Sequence, residues 1–249
     1  MMSLTKVRLT DVVKKQYAYK LKAYIQVFTT LIALQLLAIF FSLNGVGSMG
    51  SSSESLEMDV HYYSADIVVF FTMLWSFIIA ILITTKAYRN DDFVFVTNRV
   101  SSNLSNALFL LTASVIGGVT AIMSSYLMKV IMYFFVDAQY LNGTSIMAAP
   151  MEWLLGIFST TCYVFLLGAL GYWVGTLIQI NKAFALLLPA LFFGAFIVEG
   201  TGTAKLVSTV YDFIFTESSI LLFIVKIIVI AGLLFSSSMV FSNRMEVKQ

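Results

Sequence analysis

The feature that most constrains this chain is a series of long apolar runs almost free of charge. They fall at Tyr24–Leu43, Ile67–Thr85, Ala107–Met128, Trp153–Leu177, Ala183–Val198 and Ile220–Phe241. A helix rising ~1.5 Å per residue needs about 20 residues to cross ~30 Å of hydrocarbon. Each run is near that length; the fifth is the shortest and contains Pro189. A soluble domain carries about 25% charged residues, whereas this chain has 11%, with 59% apolar. The polar surface for a water-soluble fold is lacking. The predicted fold class is all-α: a polytopic membrane protein with six transmembrane helices.

Charge placement predicts an orientation. With the N-terminus inside, Lys6, Arg8, Lys14, Lys15, Lys20, Lys22, Lys86, Arg89, Arg99, Lys182, Arg244 and Lys248 are cytoplasmic, twelve of the fifteen basic residues. Lys and Arg near span ends stay inside, so both termini are expected in the cytoplasm. Nine of the thirteen acids then fall outside. The first apolar run is longer than a signal-peptide core and reads as a span.

Residue types exclude several chemistries. One Cys (Cys162) and one His (His61) permit neither an internal disulfide nor a Cys/His metal set. His61 reads as a loop residue and Cys162 as packing within a span. No catalytic residue, metal ligand or nucleic-acid partner is predicted. Charge inside a span is the usual mark of function, and Lys226 is the clear case. Two readings stay open: it snorkels outwards, or it faces a substrate path together with Gln26 and Gln35. No Asp or Glu lies in a span core, which counts against a proton- or sodium-coupled carrier. Gly168, Gly171 and Gly175 share one helix face and are expected to permit close helix packing, within the chain or between subunits.

Four of the segments outside the spans are informative. Residues 1–22 read as a basic amphipathic helix on the inner membrane surface, with Leu9, Val13, Tyr17 and Leu21 as its apolar stripe. The loop Asn44–Asp66, rich in Gly and Ser, reads as flexible and solvated. Lys86–Asn106 is too short for a domain and too long for a hairpin. It places Asp91 and Asp92 before the apolar Phe93-Val94-Phe95-Val96, then Arg99 and a Ser/Asn-rich entry into the third span. Glu199–Ser219 is too apolar for a free loop and too short to cross, so half-helices re-entering the outer leaflet are expected there.

This arrangement resembles the membrane subunit of type-2 ATP-binding-cassette exporters, above all small bacterial members without soluble domains. The likeness covers six spans, an N-terminal interfacial helix, a cytoplasmic element after the second span and a re-entrant hairpin before the sixth. Locally, Tyr88–Ser101 follows the family's rhythm, with Asp91 in place of the usual Gly and Arg99 where Pro is common. The resemblance implies that this stretch is a coupling helix seated on a partner ATPase. Phe93 and Phe95 would be its apolar anchors, and Arg89, Asp91, Asp92 and Arg99 its polar contacts.

The chain lacks the G-x-x-x-x-G-K-[ST] phosphate loop, so it is not expected to be an enzyme. The resemblance puts ATP and Mg on a separate ATP-binding-cassette subunit. It adds a second permease subunit, identical or not, in a bacterial plasma membrane. The implied function is export of an amphipathic or hydrophobic substrate (a peptide, an antimicrobial or a lipid-like molecule). The rival classes are an ATP-independent secondary carrier or channel, and a membrane scaffold or signalling subunit.

Overall fold

The computed structural model describes residues 8–43, 47–53, 56–62, 66–91, 99–135, 150–202, 205–217 and 219–244. Along them run α1 (Leu9–Ala23), α2 (Ile25–Ser42), the strands β1 (Gly47–Ser53) and β2 (Leu56–Tyr62), α3 (Asp66–Ile83), α4 (Lys86–Asp91) and α5 (Arg99–Phe135). After these come α6 (Pro150–Ile180), α7 (Phe184–Gly200), α8 (Leu206–Phe215) and α9 (Ile220–Arg244). Five of the helices, α2, α3, α5, α6 and α9, are long and apolar enough to cross a membrane. The protein is thus a helical, membrane-embedded chain. The fifth predicted span is the shorter apolar helix α7, of 17 residues with Pro189 inside it.

The chain forms two compact units, one of residues 1–16, 80–107 and 169–249, the other of residues 17–79 and 108–168. In the second unit α2 buries one stripe, Val27, Leu31, Gln35, Ala38 and Ser42, at the spacing that keeps residues on one helical face. Ala38 and Ile39 pack with Val68 of α3 and Ala121 of α5. Small residues let helix backbones approach closely. A Cβ on Gly118 of α5 would lie 3.0 Å from the backbone of Thr161 on α6. In the first unit, a Cβ on Gly175 of α6 would lie 3.0 Å from the Ile81 Cα of α3. There α9 buries Phe223, Ile227, Ala231 and Ser238, again a single stripe.

Four expectations differ from what the structure shows. The loop Asn44–Asp66, read as flexible, contains an antiparallel ribbon with Gly47 opposite Tyr62 and Ser53 opposite Leu56. The sequence Leu56-Glu57-Met58-Asp59-Val60-His61-Tyr62 alternates apolar and polar residues strictly, which is the period of a strand. The all-α class holds for the membrane helices and not for this ribbon.

Secondly, α5 starts at Arg99, well before the predicted Ala107, and its 37 residues rise ~55 Å, beyond the thickness of the hydrocarbon. Ser101–Asn106 therefore form the first turns of a long helix. Thirdly, α6 extends from Pro150 to Ile180, beyond the predicted Trp153–Leu177. Helices continue past the apolar run wherever capping or packing satisfies the backbone.

Lastly, α1 does form, but the residues it buries are Val13, Gln16 and Lys20, while Leu9 is 46% exposed. In a membrane protein the surface itself can be apolar, so a stripe of leucines does not identify the inward face.

Candidate functional site

The structure concentrates its polar groups at three places. The first is the entry of α5. Here the helix is inside out: Ser101, Asn103, Ser105 and Asn106 are buried, while Leu104, Leu108 and Leu111 are exposed. Asn106 Nδ2 donates to the Tyr172 hydroxyl of α6 at 3.2 Å, and that hydroxyl donates to Asn103 Oδ1 at 2.5 Å. One phenol thus ties two amides a turn apart on α5. Tyr172 also packs against the ring of Phe235 on α9, with centroids 5.4 Å apart, and its carbonyl accepts from Thr176 Oγ1 at 2.8 Å. Asn103 Nδ2 is buried with no hydrogen-bond partner among the described residues, and so are both amide atoms of Gln16 on α1. Arg99 Nη1 donates to the Ser242 carbonyl near the C-terminal end of α9, where unpaired carbonyls favour a cation.

The second is a ladder of helix-to-helix hydrogen bonds in the other unit. Gln35 Nε2 donates to Thr72 Oγ1 at 3.0 Å and reaches the Gly117 carbonyl at 3.4 Å, while Thr72 Oγ1 donates to Val68 O at 2.7 Å. Trp75 Nε1 donates to Thr30 Oγ1 at 3.1 Å, and Ser76 Oγ to the Val164 carbonyl at 2.9 Å. Tyr17 and Thr112 share a hydroxyl contact of 2.7 Å between α1 and α5. Such bonds are modest in apolar surroundings, about 0.6 kcal/mol on average, but they fix register.

The third is the segment from α7 to α9. Neither α7 nor α8 buries a residue. Glu199, past the apolar stretch of α7, accepts from the backbone N–H of Val207 at 2.6 Å and of Ser208 at 3.0 Å. Desolvation raises its carboxyl pKa, but the Ser208 side chain, those two N–H groups and the nearby Lys205 outweigh it and hold the group below its ordinary range. At the other end of α8, Lys226 Nζ donates to the Phe213 carbonyl at 2.6 Å, pairs with Glu217 and lies 4.1 Å from the Phe213 ring centroid.

The predicted site residues fall as follows. Arg89 and Asp91 lie in α4, with their side chains outside what is described, and Asp92, Phe93 and Phe95 lie outside the described residues altogether. Arg99 opens α5 and contacts the end of α9. Gln26 is exposed, whereas Gln35 is buried in the hydrogen-bond ladder. Lys226 is engaged by the Phe213 carbonyl of α8 and by Glu217 just beyond that helix.

Gly168, Gly171 and Gly175 are all buried. A Cβ at Gly168 would lie 2.7 Å from Ser76 Oγ of α3, and one at Gly175 would lie 2.3 Å from Thr84 Oγ1, just past its end. The glycines at 168 and 175 thus serve contacts within the chain.

Sequence reasoning passed over Asn103, Asn106 and Tyr172. The available signal was the run Ser101-Ser102-Asn103-Leu104-Ser105-Asn106, whose amides recur at i and i+3 on one face. The buried polar residues of the described chain are amides, hydroxyls and Lys20, a set made for exchanging hydrogen bonds. Among the described residues no three His, Cys, Asp or Glu come together as a metal site. No protein-family model, no curated protein and no solved structure matches the chain.

Proposed function

We propose that this chain is the permease subunit of an ATP-driven exporter that moves an amphipathic or hydrophobic substrate out of a bacterial cell. The observation that carries the reading is the order of short helices among the long ones. A helix precedes α2, a six-residue helix follows α3, and a ten-residue helix separates α7 from α9. In the proposal α7 is the sixth membrane crossing, its 17 residues rising ~26 Å, close to the hydrocarbon thickness. Both termini are cytoplasmic, because that orientation keeps most Lys and Arg inside.

Nucleotide chemistry in this reading belongs to a partner ATPase, which binds ATP and Mg. The segment from α4 to Arg99 would dock on that partner. Closure of the ATPases would move the permease helices as rigid bodies and change which side the pathway faces. Arg99 gives such motion a route into α9 through its bond to the Ser242 carbonyl. An amphipathic or hydrophobic substrate would suit a pathway lined mainly by apolar and hydroxyl residues, which a second permease subunit would complete.

The test is purification of the tagged chain from its native cell in mild detergent. A stoichiometric ATP-binding-cassette ATPase is expected to accompany it, and its absence would sink the proposal. Given such a partner, Phe93→Ala with Phe95→Ala should weaken binding and uncouple ATP hydrolysis.

A further inference from the structure

The helix α8 is odd in a physical sense. It has ten residues and buries none of them, whereas an isolated helix shorter than ~12–15 residues is marginal in water. Its own caps supply no complementary charge: Lys205 before it makes no side-chain cap, and Thr216 after it donates its neutral N–H and Oγ1–H to the Asp212 carbonyl. Its helix dipole is instead complemented from outside. At the N-terminus the Glu199 carboxylate, carried by α7, takes the N–H groups of Val207 and Ser208. At the C-terminus the Lys226 ammonium, carried by α9, takes the Phe213 carbonyl. An anion at the positive end and a cation at the negative end are the stabilising arrangement, and both belong to neighbouring helices.

We infer that α8 is a charge-latched strap between α7 and α9, hinged at its Glu199 end and released at its Lys226 end. The two fastenings differ in kind. Glu199 is bound through both carboxylate oxygens to the backbone N–H groups of Val207 and Ser208. Just past α7, Gly202 sits at φ +74°, a conformation that glycine adopts without strain. The Lys226 contact depends on a flexible side chain, held by one carbonyl, one ring face and Glu217. A lysine so placed has another state open to it, with its ammonium extended towards water. Separation of α9 from α8 therefore breaks the Lys226 contacts first and leaves α8 attached to α7 through Glu199. The inference does not depend on what the chain transports.

The experiment is hydrogen exchange on the whole chain in lipid nanodiscs, reading amides 206–215 against those of α9 beyond residue 228. Lys226→Gln and Glu217→Gln should each speed exchange in α8 by about five-fold, as expected for a partly buried ion pair. Exchange in α9 beyond residue 228 should not change. The swapped pair Lys226→Glu with Glu217→Lys should recover part of the lost protection. Glu199→Gln should speed exchange chiefly at Val207 and Ser208. Unchanged α8 exchange in Glu217→Gln, which alters a position outside the helices and should fold normally, would overturn the inference. An equal rise across α8 and α9 would overturn it too, because that marks general loosening and not a latch.

Discussion

The contact of α5 with α6 and the α7–α8 segment solve the same problem by opposite means. Where α5 meets α6, backbones approach so closely at Gly118 that even a methyl group would collide with Thr161. Farther along the same helices, buried amides share the Tyr172 hydroxyl. In α7 and α8 no side chain is buried, and order comes from charges at helix ends. Cohesion is thus distributed in one region and concentrated at two points in the other. Distributed cohesion fails when volume is added or a shared buried hydroxyl is removed; concentrated cohesion tolerates volume changes, and the loss of one charge loosens α8 alone.

Substitutions that invade or relieve each region can break this contrast. The largest effect is expected from Gly118→Val, whose added carbon atoms meet Thr161 backbone at 3.0 Å. Thermal unfolding in detergent should show a loss of about 3 kcal/mol, or no folded protein at all. Next comes Tyr172→Phe, which leaves the Asn103 and Asn106 amides buried without their shared hydroxyl. About 1–2 kcal/mol should be lost by the same measurement, and restoring the stability with Asn103→Leu would sharpen the case.

A smaller effect is expected from acid at Glu199. Its pKa in the folded chain lies below the ordinary 4.5. The stability it confers is therefore complete above that value and disappears as pH falls through the folded pKa. Protection of α8 amides, corrected for intrinsic exchange, should hold from neutral pH down to that region and then decline. A Glu199→Gln variant should lack the step. The smallest effect belongs to Leu186→Ala on α7, where the side chain is 81% exposed. A change within about 0.5 kcal/mol in detergent is expected, and a loss of 2 kcal/mol or more, of the order given by buried leucines, would show that this face packs against something.

The long helices were legible because an apolar run of crossing length has few other folded uses. The helix at Leu206–Phe215 was legible for a related reason, being too apolar for a loop. The ribbon at Leu56–Tyr62 was equally visible as alternation, but Gly and Ser in its partner strand dominated the composition and hid it. The buried face of α1 was harder. Leu9, Val13, Tyr17 and Leu21 form a proper stripe, yet of these only Val13 is buried, beside Gln16 and Lys20. Apolar periodicity identifies the inward face only when the outside is water. The same ambiguity concealed Asn103, Asn106 and Tyr172, since amides at a helix entry read first as capping or loop residues. Lys226 could be placed in a span but its partners could not, because Phe213 and Glu217 lie before that span, 13 and 9 residues away in sequence.

The inverted face of α5 carries a practical consequence. Anyone seeking a form of this chain that dissolves without detergent would ordinarily leave the leucines as core and decorate the serines and asparagines. Here that recipe is backwards: Leu104, Leu108 and Leu111 are the positions to rewrite as Glu, Lys or Gln, and Ser101 to Asn106, apart from Leu104, must stay as they are.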